Sequence, residues 1–136
     1  MNHWLVKTEP ETHSWDDQLR QGTSPWDGVR NHQAAANLRA MKAGDLAFFY
    51  HSGAERRIVG VVRCTREAYP DPSDATGKFV MVDVTTVAPM PKPVTLAAIK
   101  ADPALADIWL VKHSRLSVMP IDAAAWKRIC KMGGMA

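Results

Sequence analysis

Within seven residues, from Trp26 to His32, the chain places an aromatic ring, a glycine, an arginine, an asparagine and a histidine. In Trp26-Asp27-Gly28-Val29-Arg30-Asn31-His32-Gln33 the indole offers a stacking surface and Gly28 allows close backbone approach. Arg30, Asn31 and His32 add hydrogen-bonding groups. The mixture suits a pocket for a flat polar ring, against the plainer alternative of a Trp26 packed into the core at a helix start. Little else in the chain competes with it. The five histidines, His3, His13, His32, His51 and His113, form no HxxxH, HExxH or Cys/His cluster, so no metal is expected. There is no GxSxG, no GxxxxGK and no GxGxxG, and no cofactor is expected. The pairs Asp16/Asp17 and Asp71/Asp74 read as caps and turn formers rather than an acid–base couple.

The elements that must position these residues follow from periodicity and caps. His3 to Lys7 reads as a strand ending at Pro10. Ser14-Trp15-Asp16-Asp17 reads as a capping box that starts a short helix over 15–20, which Gly22 stops. Asn31 caps a second helix, with Ala34, Leu38 and Met41 on one face and Gly44 beyond its end. Leu46 to His51 is apolar on both faces and predicts a central strand. Ile58 to Thr65 predicts another, where Gly60 signals a bulge or a close ligand approach. Residues 69–74 form a stiff loop, 78–87 a third long strand, and Pro89, Pro91 and Pro93 an extended connector. Short helical turns over 96–100 and 103–108, a brief strand over 115–119 and a closing helix capped by Asp122 complete an α+β domain.

Bulk properties set the class. A chain of 136 residues is long enough for one domain with its own core. Its 46% hydrophobic and 23% charged residues are ordinary for a globular protein. No apolar run approaches the roughly 20 residues of a membrane helix, so no membrane partner is expected. Cys64 and Cys130 make no CxxC and read as reduced thiols of a cytoplasmic protein. The net charge of +3 permits contact with nucleic acid without demanding it.

Five segments together carry a family resemblance. They are Trp4-Leu5-Val6-Lys7-Thr8-Glu9-Pro10, then Trp26-Asp27-Gly28-Val29-Arg30-Asn31, then Leu38-Arg39-Ala40-Met41-Lys42-Ala43-Gly44-Asp45. Phe48-Phe49-Tyr50-His51-Ser52 follows, with Ile58-Val59-Gly60 and Arg66-Glu67-Ala68-Tyr69-Pro70-Asp71-Pro72 behind it, and the last is Arg115-Leu116-Ser117-Val118. In this order they resemble the EVE domain, a family of the PUA-like superfamily. The resemblance implies a pseudo-barrel of five to six mostly antiparallel strands with short peripheral helices. Residues 1–132 are expected to form a single EVE (PUA-like) domain, and the terminal Gly133-Gly134-Met135-Ala136 a flexible tail. The resemblance also implies a monomeric, non-enzymatic module that reads a modified base, 5-methyl- or 5-hydroxymethylcytosine, with DNA favoured over RNA.

For such a reader, Trp26 is the first choice of stacking platform, with Phe49, Tyr50 or Tyr69 as the second wall. Cytosine presents an N4 donor and the O2 and N3 acceptors. Glu9, beside Thr8, would accept from N4, while Asn31, His51 or backbone N–H groups would donate to O2 or N3. Val29 or Leu116 would meet a 5-methyl group, and Ser52 and Ser117 would supply hydroxyls. Lys7, Arg30, Arg39 and Arg115 are the candidate phosphate contacts, with surface ion pairing as their alternative. The chain departs from the family at His32, where many members have Tyr, and at Ala35-Ala36, where many have Arg-Asn. Competing readings are an RNA-binding module and a small enzyme acting on a nucleobase-like metabolite.

Overall fold

The computed structural model describes residues 1–135. In chain order the elements are β1 (His3–Thr8), α1 (Trp15–Gln21), β2 (Thr23–Trp26), α2 (His32–Ala40), β3 (Leu46–His51) and β4 (Arg57–Pro70). They continue with β5 (Val80–Thr95), α3 (Leu96–Ala101), a 3-10 turn at Pro103–Leu105, α4 (Trp109–Lys112), β6 (Val118–Ile121) and α5 (Ala123–Met132). The strands form one six-stranded sheet in the order β2-β5-β4-β3-β1-β6. β1 and β3 run parallel, and the other pairings are antiparallel. The sheet curls enough that α2 packs against β6 at one edge and against β5 and β4 towards the other. This is the α+β architecture expected.

The apolar pattern of β3 has its reason here. Sandwiched between β1 and β4, it buries every residue from Ala47 to His51. On one side Phe48 stacks on Trp126 of α5 at 3.8 Å. Phe49 meets the edges of Trp15 and Trp26 at 5.1 and 5.4 Å. The caps behave as read. The Ser14 hydroxyl accepts from Asp17 N, Ser14 N donates to Asp17 Oδ2, and Asn31 Oδ1 accepts from Ala34 N at 2.9 Å. Ala34, Leu38 and Met41 are fully buried.

Several expectations need correction. Trp26 ends a strand, β2, that was not expected; its Pro25 is tolerated because β2 is an edge strand with β5 on one side only. β5 continues through Pro89, Pro91 and Pro93 rather than yielding to a connector. β2 pairs only with Val82 to Thr85, so these prolines lie where β5 has β4 as its single neighbour. β4 likewise extends to Tyr69 and Pro70, which pair with Met81 and Val80. The brief strand expected over 115–119 occupies Val118–Ile121 instead. At the C-terminus Lys92 N donates to Gly133 O and Met135 N to Cys130 O, while Ala136, the last residue of the tail expected to be flexible, lies outside the described residues. Both cysteines are free.

Gly60 does mark a register shift, but the group that approaches it is the Trp15 ring. A Cβ at Gly60 would lie 2.4 Å from the indole. Gly60→Ala is therefore expected to lower stability by about 2 kcal/mol through overpacking, measured as a shift in the urea midpoint.

Candidate functional site

Two connections meet at the edge where β1 and β2 end. After Thr8 the chain makes a tight turn in which Thr12 N and His13 N both donate to Glu9 O, and the Thr8 hydroxyl donates to His13 O. After Trp26, Gly28 adopts a positive φ of 76°, a conformation costly for residues with a Cβ. Between the two lies a cleft of about 540 Å³. Lys7, Thr8, Glu9, Thr12 and His13 form one wall, and Ser24 to Arg30 form the other, with Gln21 and Ser117 at the margins.

The floor is aromatic and held from beneath. Trp26 is 6% exposed and stands edge-on to Phe49 and, at 5.9 Å, to His13. Gln18, fully buried on α1, donates through Nε2 to Gly22 O, which leaves Oε1 as an acceptor. That oxygen accepts from the Ser24 hydroxyl at 2.7 Å and faces His13 Nε2 at 2.9 Å. His13 Nε2 therefore carries a proton, and in the neutral ring Nδ1 is the free acceptor.

The Trp26–Arg30 loop is fixed by Asp71, whose side chain is fully buried. Its Oδ2 accepts from Gly28 N at 2.8 Å and from Arg30 at 3.3 Å. Its Oδ1 accepts from Ser73 N at 2.8 Å and from the Ser73 hydroxyl at 2.6 Å. Burial alone would raise this carboxyl, but those four donors outweigh it and hold Asp71 at about 2. Burial likewise pushes the Lys7 ammonium down from its usual value. The Lys7 head is spent on the Ser114 carbonyl at 3.0 Å.

Of the sequence-derived candidates, the cleft gathers Lys7, Thr8, Glu9, Trp26, Val29, Arg30 and Ser117. Phe49 backs it without reaching it, because β3 is buried on both faces. The remaining candidates lie elsewhere. Tyr50 is buried, with the Lys7 ammonium 5.6 Å from its ring centroid. His51 has both ring nitrogens occupied, accepting from Trp15 N at 3.0 Å and donating to Glu55 at 2.9 Å. Ser52 N donates to Thr8 O as a backbone link. The Tyr69 hydroxyl bonds Asp83, and Arg66 stacks on its ring at 3.5 Å. His32 stacks on Phe79, and Arg39 donates to Lys78 O. Asn31, Arg115 and Leu116 line a neighbouring groove instead. Residues the sequence reading missed are Thr12, His13, Gln21, Ser24, Pro25 and Asp27, together with the brace Asp71.

A larger cleft of about 600 Å³ lies against β1 and β6 and is lined by His3, Trp4, Ile108 and Trp109 among others. It carries Asp107 and Asp122 and no Lys or Arg, a balance that disfavours an anionic ligand. Its Trp4 indole N–H is already spent on Asp45 at 3.0 Å.

The chain matches the EVE domain over residues 2–132. It is 37% identical over 154 aligned positions to thymocyte nuclear protein 1 of Homo sapiens, covering 88% of this chain and 68% of that protein. An NMR structure of a Rhodopseudomonas palustris protein superposes with a TM-score of 0.93 at 54% identity, over 98% of this chain and 94% of the other. The crystal structure of human THYN1 protein in complex with 5-methylcytosine containing DNA superposes with a TM-score of 0.91 at 34% identity, over 100% and 99%.

Proposed function

From the premise that the chain belongs to the EVE domain family, we propose that it binds nucleic acid and reads a modified base, 5-methylcytosine in DNA, in the cleft between Glu9–His13 and Trp26–Arg30. The observation that carries this reading is the cleft itself: an indole floor, a carboxylate and an imidazole acceptor on one wall, and an apolar Val29 opposite. The human relative crystallised with DNA containing 5-methylcytosine supports the ligand class.

The physics is that of a base taken out of its stack. Unstacking costs a few kcal/mol, which contact with Trp26 would offset in part, since base–aromatic stacking returns roughly 1–3 kcal/mol. The N4 amino group has two acceptors within the cleft, Glu9 and His13 Nδ1. Val29 offers apolar contact to a 5-methyl group. Recognition rather than conversion is the role proposed. The Ser24 hydroxyl and the His13 imidazole are both engaged by Gln18, not by each other, so Ser24 has no base to activate it.

The test is a fluorescence-anisotropy panel of DNA and RNA oligonucleotides carrying cytosine, 5-methylcytosine or 5-hydroxymethylcytosine. The expected outcome is at least about tenfold tighter binding of methylated than of plain DNA, weaker binding of the RNA forms, and affinity that falls with salt. Equal affinities across the panel would remove the proposal.

A further inference from the structure

Beside the base cleft runs a second groove of about 480 Å³, lined by Asn31, Gln33, Trp109, His113, Arg115 and Leu116 with the Ser114 backbone. The two share a wall. Arg30 lines the first and Asn31 the second; Ser117 lines the first and Leu116 the second. The Lys7 side chain, from the first, bonds the Ser114 carbonyl of the second. The two sites are therefore adjacent on the surface.

Trp109 gives the groove its character. It is 36% exposed, the one aromatic among the large apolar side chains left exposed in the described residues. Its indole lies against His113 at 4.5 Å and 35°, so the pair forms a braced aromatic surface. An exposed indole beside polar groups accepts any base on its face, without reading its edge. Charge points the same way. No carboxylate lines the groove. Arg115 makes no ion pair or side-chain hydrogen bond among the described residues, whereas Arg30 is shared between Asp71 and Ser73 and Lys112 is paired with Asp107. Gln33 donates to Asn37, which leaves its carbonyl oxygen to the groove. An apolar protein partner would find a polar, cationic lining around the indole.

We propose that this groove holds the nucleotide adjoining the modified base, its base on Trp109 and its phosphate at Arg115. The inference rests on the base-reading function proposed above. It makes a dinucleotide the smallest ligand that engages both sites and gives the domain a sequence-tolerant second contact.

The test compares two probes on the full chain, 5-methyl-2′-deoxycytidine monophosphate and a single-stranded DNA hexamer with one central 5-methylcytosine. Trp109→Ala is expected to weaken the hexamer about tenfold and leave the monophosphate unchanged, and Trp109→Phe to restore most of the loss. Arg115→Gln is expected to weaken the hexamer and reduce its salt slope by about 0.7. Hexamer affinity unmoved by both substitutions overturns the second site while leaving the base cleft standing. A parallel loss on the monophosphate also overturns it, because Trp109 would then act through the first cleft. If the unaltered protein shows no preference for methylation on either probe, base reading fails and this inference with it. Thermal unfolding of each variant confirms that all are compared folded.

Discussion

Trp26→Ala is expected to reduce affinity for DNA carrying 5-methylcytosine by about 100-fold, near the upper end of what one base–aromatic contact supplies. The ring is the cleft floor and has no substitute behind it. Phe49 presents its ring to Trp26 edge-on from the core, so truncation opens a void rather than a second stacking face. The same burial gives the substitution a cost in stability, about 3–5 kcal/mol for a core Trp→Ala. Trp26→Phe separates the two effects. It keeps a ring over Phe49 and most of the packing, and is expected to bind about tenfold more weakly with a modest fall in the urea midpoint. Anisotropy on variants shown to be folded by circular dichroism reads the loss of affinity, and urea titration reads the loss of stability.

The second large effect belongs to Asp71, which braces the cleft from behind and does not line it. Asp71→Ala is expected to cost about 3 kcal/mol near neutral pH, because it leaves Gly28 N–H unpaired and Arg30 without its buried partner. Its pH dependence identifies the cause. The folded Asp71 carboxyl, held at about 2, lies below the ordinary value of 3.8, so its charged form is the stabilised one. That contribution, about 2 kcal/mol, is complete above about pH 4 and is lost as pH falls through about 2. The gap between the unaltered protein and Asp71→Ala in urea titrations should accordingly shrink from about 3 to about 1 kcal/mol between neutral pH and about pH 2. DNA affinity should fall in the variant as well, since Gly28 and Arg30 carry the wall opposite Glu9.

These residues differ in how far the sequence announces them. Periodicity and caps predict β1, α1, α2 and β3, because each is signalled within a few residues: Ser14 with Asp17, Asn31 with Ala34, the unbroken apolar run of β3. β2 has four residues and a proline, and only its pairing with β5 makes it a strand. The site divides in the same way. Thr8, Glu9, Trp26 and Val29 sit at element ends where motif and geometry coincide. Tyr50, His51 and Tyr69 have suitable chemistry but are consumed by packing or hydrogen bonds that residue type does not reveal. Asp71 reads locally as a turn former in a proline-rich loop; its partner Gly28 is 43 positions away. His13 lies just before a helix cap, and its role depends on Gln18 and the distant Trp26.

The most direct test of the base cleft is an NMR titration of isotope-labelled protein with DNA containing 5-methylcytosine. The largest shifts are expected on the Trp26 indole N–H and on the Glu9, His13 and Gly28 amides, and much smaller ones with unmodified cytosine. Shifts gathered instead on Trp4, Ile108 and Asp122 in the larger cleft, or the same response to methylated and plain DNA, would contradict base reading in this cleft.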